Sequence, residues 1–596
     1  MKAVYTVDEI RRAEQPLLDA QRTTDELMRH AASAVADPAR VLLAAERPRH
    51  MEGDGVLLLV GSGGNGGDAL YAGASLLSDG VTVDAVLLGD NPHGPALEAF
   101  REAGGTVRGD DVADQVQDIH ERYRLIVDGI VGLGGSGALR EHAAWLIREA
   151  SILRTPVLAV DVPSGVAADT GETFPGPEAT MDADPHRPDD LEADLPGHVT
   201  ADVTVTFGGM RRAHAVAAAC GEVLVADIGP GPGEMLSSML AKVALGDAAA
   251  GKSPRVLASR AVTPENGAGW PEWLRRVGPV YAPWSPAPTA EDDKYTGGVV
   301  GVCAGSPRYP GAGVLTSTGA VRATSSMVRY IGDLAPEVVR ALPEVVAHDT
   351  VSSSERVQSW VVGPGRGTGD DAAAELGELL ARPEALLIDA DALTLLSERP
   401  ELLTALRRRT GGSLPTILTP HAGEYRRLAA AIDAGAGAGA GSGADPGAAT
   451  LPDPAADPIG AADALATDIG CTVLLKGRHT VVAEPPSEDP STRIIHVIDA
   501  GTSWAATPGS GDVPAGVIGA WMARSMAKGQ RLERRHPRQR GRWNPMETVP
   551  AAVSIHARAA EIAARTPSGH APTSASFIAA ATREATAWAP QRRARR

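Results

Sequence analysis

Short apolar runs alternate with longer amphipathic stretches between residues 56 and 207. Several of these runs end in turns rich in glycine and aspartate, and a helical pattern follows each turn. Short apolar strands separated by helices are typical of βαβ units, so the pattern predicts a parallel sheet. The predicted strands are residues 56–60, 81–88, 125–127, 157–160 and 203–207.

A second α/β series begins at residues 299–302. Its later strands are predicted at 360–362, 386–388, 416–418 and 473–475. Between residues 229 and 295 the pattern loosens, and parts of this region fit a helix or an edge strand. The sequence therefore predicts two domains, residues 1–230 and 291–596, joined by a linker over residues 231–290.

Other segments carry weaker patterns. Residues 4–35 have a helical pattern, in which Thr23, Thr24 and Asp25 form a candidate N-cap cluster. Residues 177–198 are rich in Asp, Glu and Pro and are interpreted as an exposed insertion loop. Residues 434–447 have low complexity and predict a flexible loop. The basic segments 529–545 and 592–596 are interpreted as solvated.

The chain of 596 residues is acidic, with a formal net charge of −18. Such a surface disfavours nucleic acid and anionic membranes as partners, so a phosphate site has to be built locally. The three cysteines, Cys220, Cys303 and Cys471, form no CxxC motif and indicate a reducing compartment. No signal peptide and no apolar run near the ~18 residues of a membrane span is recognised, so we expect a cytoplasmic protein.

A glycine-rich turn at residues 61–67 joins the first predicted strand to a helix that we expect to begin at Ala69. A turn at a helix N-terminus exposes backbone N–H groups to an anion, although the spacing departs from the dinucleotide fingerprint. Asn65 and Asp68 place an amide and a carboxylate where open α/β sheets bind ligands. A tight structural turn is the alternative.

The same arrangement, a strand followed by an acid and a glycine, recurs at Asp128 and Asp161. Three strand ends therefore deliver polar groups to one edge of the predicted sheet. The oxygen-bearing side chains Asn65, Asp128 and Ser164 are suited to a hard monovalent or divalent cation. For each acid alone, a helix cap is the alternative.

These three segments resemble the YjeF N-terminal family, the NAD(P)H-hydrate epimerases, over most of residues 1–230. The resemblance implies a Rossmann-like three-layer domain, a role for Asp161 in substrate contact and proton transfer, and K+ held by Asn65, Asp128 and Ser164. Gly64 and Ala69 depart from the family pattern, which leaves the loop backbone at position 64 to make the contact. The residues implied to bind the hydrated cofactor are Gly64, Asn65, Gly66, Gly67, Asp68, Gly132, Leu133, Gly134, Gly135, Ser136, Gly137 and Ala138.

A second constellation follows the later strands. Residues 509–512 (GSGD) precede a predicted helix at 513–520, which gives an anion-binding turn with a carboxylate beside it. That arrangement suits deprotonation of a hydroxyl next to a nucleotide's terminal phosphate. Asp389, Asp391, His421 and Glu424 also follow strands, and residues 476–480 (KGRHT) are suited to cradling phosphate.

This set resembles the YjeF C-terminal family, the NAD(P)H-hydrate dehydratases, over about residues 290–590. The resemblance implies a ribokinase-like α/β fold, ADP and Mg2+ as cofactors, and Asp512 as the catalytic base. Pro508 departs from the family pattern without changing the anion-binding end of the turn. Substrate contacts are implied for Ala312, Gly367, His421 and Asp512, and nucleotide contacts for Lys476, Gly477, Arg478, His479, Thr480 and Gly511.

The sequence as a whole is interpreted as a bifunctional repair enzyme for hydrated NADH and NADPH. An epimerase would interconvert the two C6 epimers, and an ADP-dependent dehydratase would convert the S form to NAD(P)H, AMP and phosphate. We expect small-molecule substrates and a homo-oligomer. Two alternatives stay open at this point: a ribokinase-type small-molecule kinase fused to a nucleotide-binding module, and a non-enzymatic binding or scaffold role for the N-terminal domain.

Overall fold

The computed structural model divides the chain into two compact units. The first comprises Lys2–Val256 with Pro264–Val277, and the second comprises Leu257–Thr263 and Gly278–Arg596 with Met1. The structure describes residues 1–45, 53–109, 111–135, 137–178, 194–231, 234–262, 269–280, 287–288, 290, 292–324, 327–439, 451–535 and 545–587.

A mostly parallel sheet forms the centre of the first unit. The unit contains β1 (Lys2–Tyr5) and β8 (Met210–Arg211), which pair in parallel, and the start of β10 (Arg255–Arg260), which continues into the second unit. The strands of its central sheet are β2 (Gly55–Val60), β3 (Val83–Leu87), β4 (Thr106–Val107), β5 (Tyr123–Gly129), β6 (Val157–Val160), β7 (Val203–Phe207), β9 (Glu222–Ala226) and β11 (Arg275–Arg276). The sheet has the order β11-β9-β7-β6-β5-β2-β3-β4, and only β11 runs antiparallel to its neighbour.

Helices cover both faces of this sheet. They are α1 (Val7–Asp19), α2 (Glu26–Ala44), α3 (Gly64–Ser78), α4 (Gly94–Glu102), α5 (Val112–Arg122), α6 (Glu141–Leu153), α7 (Arg212–Val216) and α8 (Leu236–Ala249). Strand β2 is apolar throughout because successive side chains point to opposite faces of the sheet and both faces are buried. Val56, Leu58 and Val60 pack in a core with α1, α2, α3 and α8, whereas Leu57 and Leu59 pack in a core with α5 and α6.

The start of α3 differs from the prediction. The helix begins at Gly64, five residues before Ala69, so most of the glycine-rich run forms its first turn. The predicted N-cap cluster is also corrected. Helix α2 does begin at Glu26, but the Asp25 side chain makes no cap hydrogen bond and accepts one from the Tyr71 hydroxyl instead, at 2.8 Å.

The second unit also has a mostly parallel sheet. Its remaining strands are β12 (Val299–Cys303), β13 (Met327–Ile331), β14 (Val346–His348), β15 (Ser359–Val362), β16 (Ala385–Ile388), β17 (Thr416–Leu418), β18 (Thr472–Leu475), β19 (His479–Ala483), β20 (Ile494–Asp499) and a small pair, β21 (Arg565–Thr566) with β22 (Gly569–His570). The order is β14-β13-β12-β15-β16-β17-β18-β19-β20, followed by β10. The strands from β14 to β18 are parallel, and β18, β19 and β20 are joined antiparallel.

The helices of the second unit connect and cover these strands. They are α9 (Pro310–Ala323), α10 (Ala335–Ala341), α11 (Asp370–Leu380), α12 (Asp391–Glu398), α13 (Pro400–Gly411), α14 (Ala422–Gly439), α15 (Pro458–Ile469), α16 (Asp512–Arg535), α17 (Val549–Ala564) and α18 (Ala575–Ala587). A large apolar core joins α9, α16, α17 and α18 to the central strands, and Trp521 is fully buried in it. The predicted α/β class is confirmed in both units, since each has a mostly parallel sheet with helices packed against it.

Two loop predictions are partly wrong. Helix α14 extends to Gly439, so residues 434–439 of the predicted flexible segment are helical, and residues 440–450 lie outside the described ranges. Helix α16 extends to Arg535, so residues 529–535 are helical rather than unpatterned loop. Both segments extend helices that begin earlier in the chain, and their low-complexity and basic compositions obscured this in the sequence. Residues 179–193, 536–544 and 592–596 also lie outside the described ranges.

The three cysteines are all buried and all free thiols. Burial raises the pKa of Cys220, Cys303 and Cys471 above that of an ordinary thiol. Within the described part of the chain, none of the helices combines the length and the apolar character that a bilayer crossing needs.

Candidate functional site

A cavity of about 970 Å³ lies in the first unit, where the strand order reverses between β2 and β5. Open α/β sheets bind ligands at such a switch point, beyond the carboxyl ends of the strands. Of the residues predicted to bind the hydrated cofactor or to act in catalysis, the cavity is lined by Gly64, Asn65, Asp68, Gly132, Leu133, Gly134, Gly135, Gly137, Ala138 and Asp161. Gly66 and Gly67 are buried in α3 and do not line it, and Ser136 lies outside the described residues.

Two glycine-rich loops approach each other closely at this edge. A Cβ atom on Gly66 would lie 2.3 Å from the carbonyl oxygen of Gly61, and one on Gly132 would lie 2.3 Å from Oδ1 of Asn65. Around Gly63 and Gly64, by contrast, nothing lies within 4 Å of such an atom. The glycines at 66 and 132 are therefore required by close packing, and those at 63 and 64 face open space.

Asp161 is held in the cavity wall by charged and polar neighbours. It follows β6 with φ of 64°, a left-handed conformation that Asp and Asn adopt more readily than other side chains. Its Oδ1 accepts from Arg211 Nη2 at 2.8 Å and from the Thr206 hydroxyl at 2.9 Å. The backbone N–H of Arg211 donates to Nδ1 of His214, so the opposite ring nitrogen donates to the Asp161 carbonyl at 2.6 Å. These contacts hold the carboxyl group of Asp161 in one orientation.

The predicted potassium ligands lie beside this wall. Ser164 donates to Asp128 twice, through its hydroxyl at 2.7 Å and its backbone N–H at 2.8 Å. Asn65 donates its amide N–H to the Val160 carbonyl at 2.5 Å, which leaves its amide oxygen as an acceptor. Burial raises the pKa of Asp128 to about 6. An amide oxygen, a carboxylate and a hydroxyl fit a hard cation in donor type.

Glu14, Asp68 and the exposed Asp90 also line this cavity. Glu14 projects from α1, and Asp68 from the first turns of α3. Burial raises the pKa of both, and the charge of Asp161 contributes to both shifts. Glu14 and Arg211 were missed from the sequence, because each is distant along the chain from the motif that it joins.

In the second unit, Lys476 lies among carboxylates at the ends of neighbouring strands. Its Nζ is 2.6 Å from Oδ1 of Asp389 and 3.7 Å from Oε2 of Glu424. Both acids are buried. The attraction of these carboxylates, including the nearby Asp512, raises the pKa of Lys476 despite burial, which alone lowers it. This cluster, formed by Asp389, Glu424, Lys476 and Asp512, is called the acid–lysine cluster below.

Asp512 occupies the first position of α16, directly after the glycine turn. Gly509 has φ of 77°, and the Asp512 N–H donates to its carbonyl at 3.2 Å. The pKa of Asp512 is raised to about 6, first by burial and then by the charges of Asp389 and Asp391, while Lys476 opposes the rise. A carboxyl group with such a pKa is poised to accept a proton near neutral pH.

A second cavity, of about 370 Å³, opens beside the acid–lysine cluster. Predicted site residues that line it are His421, Lys476, Gly477, Arg478, Thr480 and Gly511. His479 does not line it. Its ring is largely buried and its Nε2 lies 3.7 Å from Oδ1 of Asp499.

The remaining predicted substrate contacts lie elsewhere in the second unit. The N–H of Gly367 donates to Oδ2 of Asp391 at 2.8 Å, so Asp391 links Gly367 to the neighbourhood of Asp512. Ala312, in the first turn of α9, approaches the β15–α11 loop, where a Cβ atom on Gly365 would lie 2.7 Å from its methyl group. Neither residue lines the 370 Å³ cavity.

Two family models match the chain. One, described as YjeF-related protein N-terminus, matches residues 24–213, and one described as NAD(P)H-hydrate dehydratase matches residues 300–580. A bifunctional NAD(P)H-hydrate repair enzyme from Corynebacterium glutamicum is 45% identical over 598 residues, 98% of this chain and 99% of that one. Its counterpart from Mycobacterium tuberculosis is 39% identical and covers 89% of this chain and 91% of its own. An NAD(P)H-hydrate epimerase from Microbacterium testaceum is 42% identical over 213 residues, 35% of this chain and 70% of that one.

Proposed function

Because this chain belongs to the family of bifunctional NAD(P)H-hydrate repair enzymes, we propose that the two cavities described above are its two active sites. The N-terminal unit is an NAD(P)H-hydrate epimerase and the C-terminal unit is an NAD(P)H-hydrate dehydratase. Family membership sets aside the ribokinase-type kinase and the scaffold alternatives. The cytoplasmic location and the homo-oligomeric state stay predictions.

The reaction explains why each site needs an acid. Hydrated NADH or NADPH carries a hydroxyl at C6 of the reduced nicotinamide ring and occurs as two C6 epimers. Hydroxide is a poor leaving group, so the dehydratase has to activate it. We propose ADP as the activating nucleotide and the S epimer as the substrate.

The observation that carries the dehydratase site is the position of Asp512. It lies at the N-terminus of α16, next to a glycine turn and near the other three members of the acid–lysine cluster. Asp512 accepts the proton of the C6 hydroxyl, and that oxygen attacks the terminal phosphorus of ADP. AMP leaves, phosphate then leaves from C6, and loss of a C5 proton completes NAD(P)H.

The nucleotide's phosphates would lie between the glycine turn and residues 476–480. Gly511 and the backbone at the start of α16 offer N–H groups and the positive end of a helix dipole. Lys476 adds a cation, although Asp389 and Glu424 already offset its charge.

The excess of carboxylates at this site suits a divalent cation. Across the ranges that the structure describes, no three His, Cys, Asp or Glu side chains are arranged to hold a metal ion by themselves. Mg2+ usually binds through one or two carboxylates together with substrate phosphates. Asp389 and Glu424 are two carboxylates that fit this mode of binding. When bound, Mg2+ supplies positive charge to the phosphate oxygens.

For the epimerase, we propose that Asp161 moves the proton of the C6 hydroxyl. Arg211 and Thr206 hold its carboxyl group in place through an ion pair and a hydrogen bond. The loop residues 64–68 and 132–138 would bind the dinucleotide through their backbone. K+ held by Asn65, Asp128 and Ser164 would supply positive charge beside them.

The test of the dehydratase assignment uses Asp512→Asn in the full chain. With a mixture of both epimers of hydrated NADH and ADP, wild-type protein should restore absorbance at about 340 nm and release AMP and phosphate. The variant should lose ADP-driven recovery by at least about 100-fold, the lower range for general base catalysis. Asp371→Asn, a matched change at an exposed residue of α11, should behave as wild type.

Retained activity in Asp512→Asn would contradict its role as base. Turnover with ATP but not with ADP would contradict the proposed nucleotide while leaving the base assignment intact.

A further inference from the structure

Four carboxyl groups line the epimerase cavity, and all of them except the exposed Asp90 are at least partly buried. Asp161, Asp68 and Glu14 come from three separate elements and line the same space. Asp161 is paired with Arg211 and accepts from a hydroxyl group. Among the residues that the structure describes, the Asp68 carboxyl group has neither a hydrogen bond nor an ion pair, although the residue is only 8% exposed.

The charged groups that face Asp68 are themselves acidic. Glu14 of α1, Asp25 before α2 and Asp161 after β6 all disfavour a negative charge on it, in addition to the burial that is the largest cause of its raised pKa. Arg211, whose charge also acts on Glu14, is engaged by Asp161. Asp25 is in turn engaged by Tyr71 and lies 3.6 Å from a ring nitrogen of His93.

Burial and these acidic neighbours raise the pKa of Asp68 and so favour the form that carries a proton. A protonated carboxyl beside an ionised one is the arrangement that general acid–base catalysis uses, with the two groups set apart by environment. Because Asp68 is unpartnered and faces the cavity, its proton is available to a bound molecule.

We propose that Asp68 is the general acid of the epimerase, acting opposite Asp161 as the base, through opening and reclosing of the hydrated nicotinamide ring. This inference rests on the proposed function of Asp161. It assigns Asp68 a chemical role in addition to the contact with the cofactor that the sequence predicts.

Each step of this route balances. Asp161 accepts the proton of the C6 hydroxyl, the oxygen forms a carbonyl with C6, and the C6–N1 bond breaks with its electron pair moving to N1. Asp68 delivers its proton to N1. Rotation about C5–C6 presents the other face of the aldehyde, and ring closure returns one proton from N1 to Asp68 and one from Asp161 to the oxygen. No oxidant, reductant or further reactant is needed.

The experiment measures conversion of the R epimer of hydrated NADH to the S epimer, by chromatography, without ADP and with the spontaneous rate subtracted. Asp68→Asn should lower kcat by about 100-fold or more, because general acid catalysis contributes ~10²–10⁴. KM should change by less than about threefold. Asp79→Asn changes an exposed carboxyl directly after the same helix, outside the cavity, so it is the matched control and should keep wild-type kcat.

The pH profile separates a proton donor from a structural residue. Asp68 can donate only while protonated, so wild-type kcat/KM should fall as the pH rises through its raised pKa. The residual activity of Asp68→Asn should lack this alkaline limb. Dehydratase activity of the same polypeptide on the S epimer reports that the variant chain is folded.

Two outcomes would overturn the inference. One is an Asp68→Asn variant with kcat within threefold of wild type, and the other is loss of activity in Glu14→Gln with an unaffected Asp68→Asn. Asp161→Asn measured in parallel distinguishes the two proposals. If it is active, the proposed base is wrong. If it is inactive while Asp68→Asn is active, only the proposed acid is wrong.

Discussion

Single charged side chains set the chemistry of both sites. Asp161 is buried and follows β6, Asp512 is partly buried at the first position of α16, and the neighbours of the two carboxyl groups differ. Arg211 contacts Asp161 directly, whereas Lys476 is shared between Asp389 and Glu424 and reaches Asp512 only through its field. The pKa of Asp512, which is raised to about 6, lies within the pH range that an activity assay can cover.

Dehydratase activity should follow the ionisation of Asp512. The base must be deprotonated, and burial raises its pKa to about 6, so kcat/KM should rise with pH through about 6 and level off above it. Lys476 lowers this pKa, so Lys476→Met should move the midpoint to higher pH. The measurement is initial rate against pH from 4.5 to 9, a range that spans ~1.5 units below and ~3 above the midpoint.

An unchanged midpoint in Lys476→Met would show that the acidic limb belongs to another group. Arg478→Gln is a suitable comparison, since Arg478 lines the same cavity but contributes nothing to the pKa shift of Asp512. It is expected to alter KM for the nucleotide and to leave the midpoint in place.

At the scale of elements, the first turn of α3 determines the shape of the epimerase cavity. The helix starts within the glycine-rich run, so its first residues lie against the loop that follows β5. The close approach of backbone atoms at Gly66 explains a glycine that propensity alone disfavours in a helix.

Two alanine substitutions in this turn should have opposite effects. Gly66→Ala would place a Cβ 2.3 Å from the Gly61 carbonyl oxygen, so the free energy of unfolding of the N-terminal unit should fall by about 1–3 kcal/mol. Gly64→Ala enters open space and gains helix propensity, so stability should stay equal or rise by up to about 1 kcal/mol. Urea denaturation of the full chain, followed by epimerase activity and circular dichroism, measures both. Equal stability of the two variants would contradict this account.

Elements were predicted well where a single pattern decides them. Strands β6 and β7 have the predicted bounds. Both are buried on both faces; β6 is apolar throughout, and β7 consists of Val, Thr and Phe, which favour strands. The sequence did not identify the antiparallel strands β19 and β20. Strand β19 does not alternate between buried and exposed residues, and the alternation in β20 is interrupted.

The candidate sites were predictable only as far as their residues lie in motifs. The sequence identified Asp161 because it follows a predicted strand, and Asp512 because it follows a glycine turn before a predicted helix. Arg211 and Glu14 join Asp161 from elements that are 50 and 147 residues away along the chain, a pairing that only the folded chain creates. Asp389 and Glu424 were noted, but their partnership with Lys476 depends on the order of β16, β17 and β18 in the sheet.

For the whole molecule, two activities on one chain should determine how much substrate is repaired. Asp161→Asn removes the proposed epimerase base and keeps a side chain that tolerates the left-handed backbone at this position. With equal amounts of both epimers and excess ADP, wild-type protein should convert all substrate. The variant should stop after about half, since only one epimer enters the dehydratase, and then continue at the spontaneous rate of epimerisation.

The progress curve at about 340 nm shows this as a burst followed by a slow phase. Adding the Asp512→Asn variant, whose epimerase site is unchanged, supplies the epimerase separately and should restore complete conversion. Complete and fast conversion by Asp161→Asn alone would contradict the assigned role.

The burial of all three thiols has a practical consequence for experiments on this chain. Cys220, Cys303 and Cys471 are 3% exposed or less, and their raised pKa values leave little thiolate at neutral pH. Maleimide reagents should therefore leave the folded native protein unmodified. A cysteine introduced on an exposed helix of either unit would take a fluorophore or spin label selectively, without prior removal of the natural thiols.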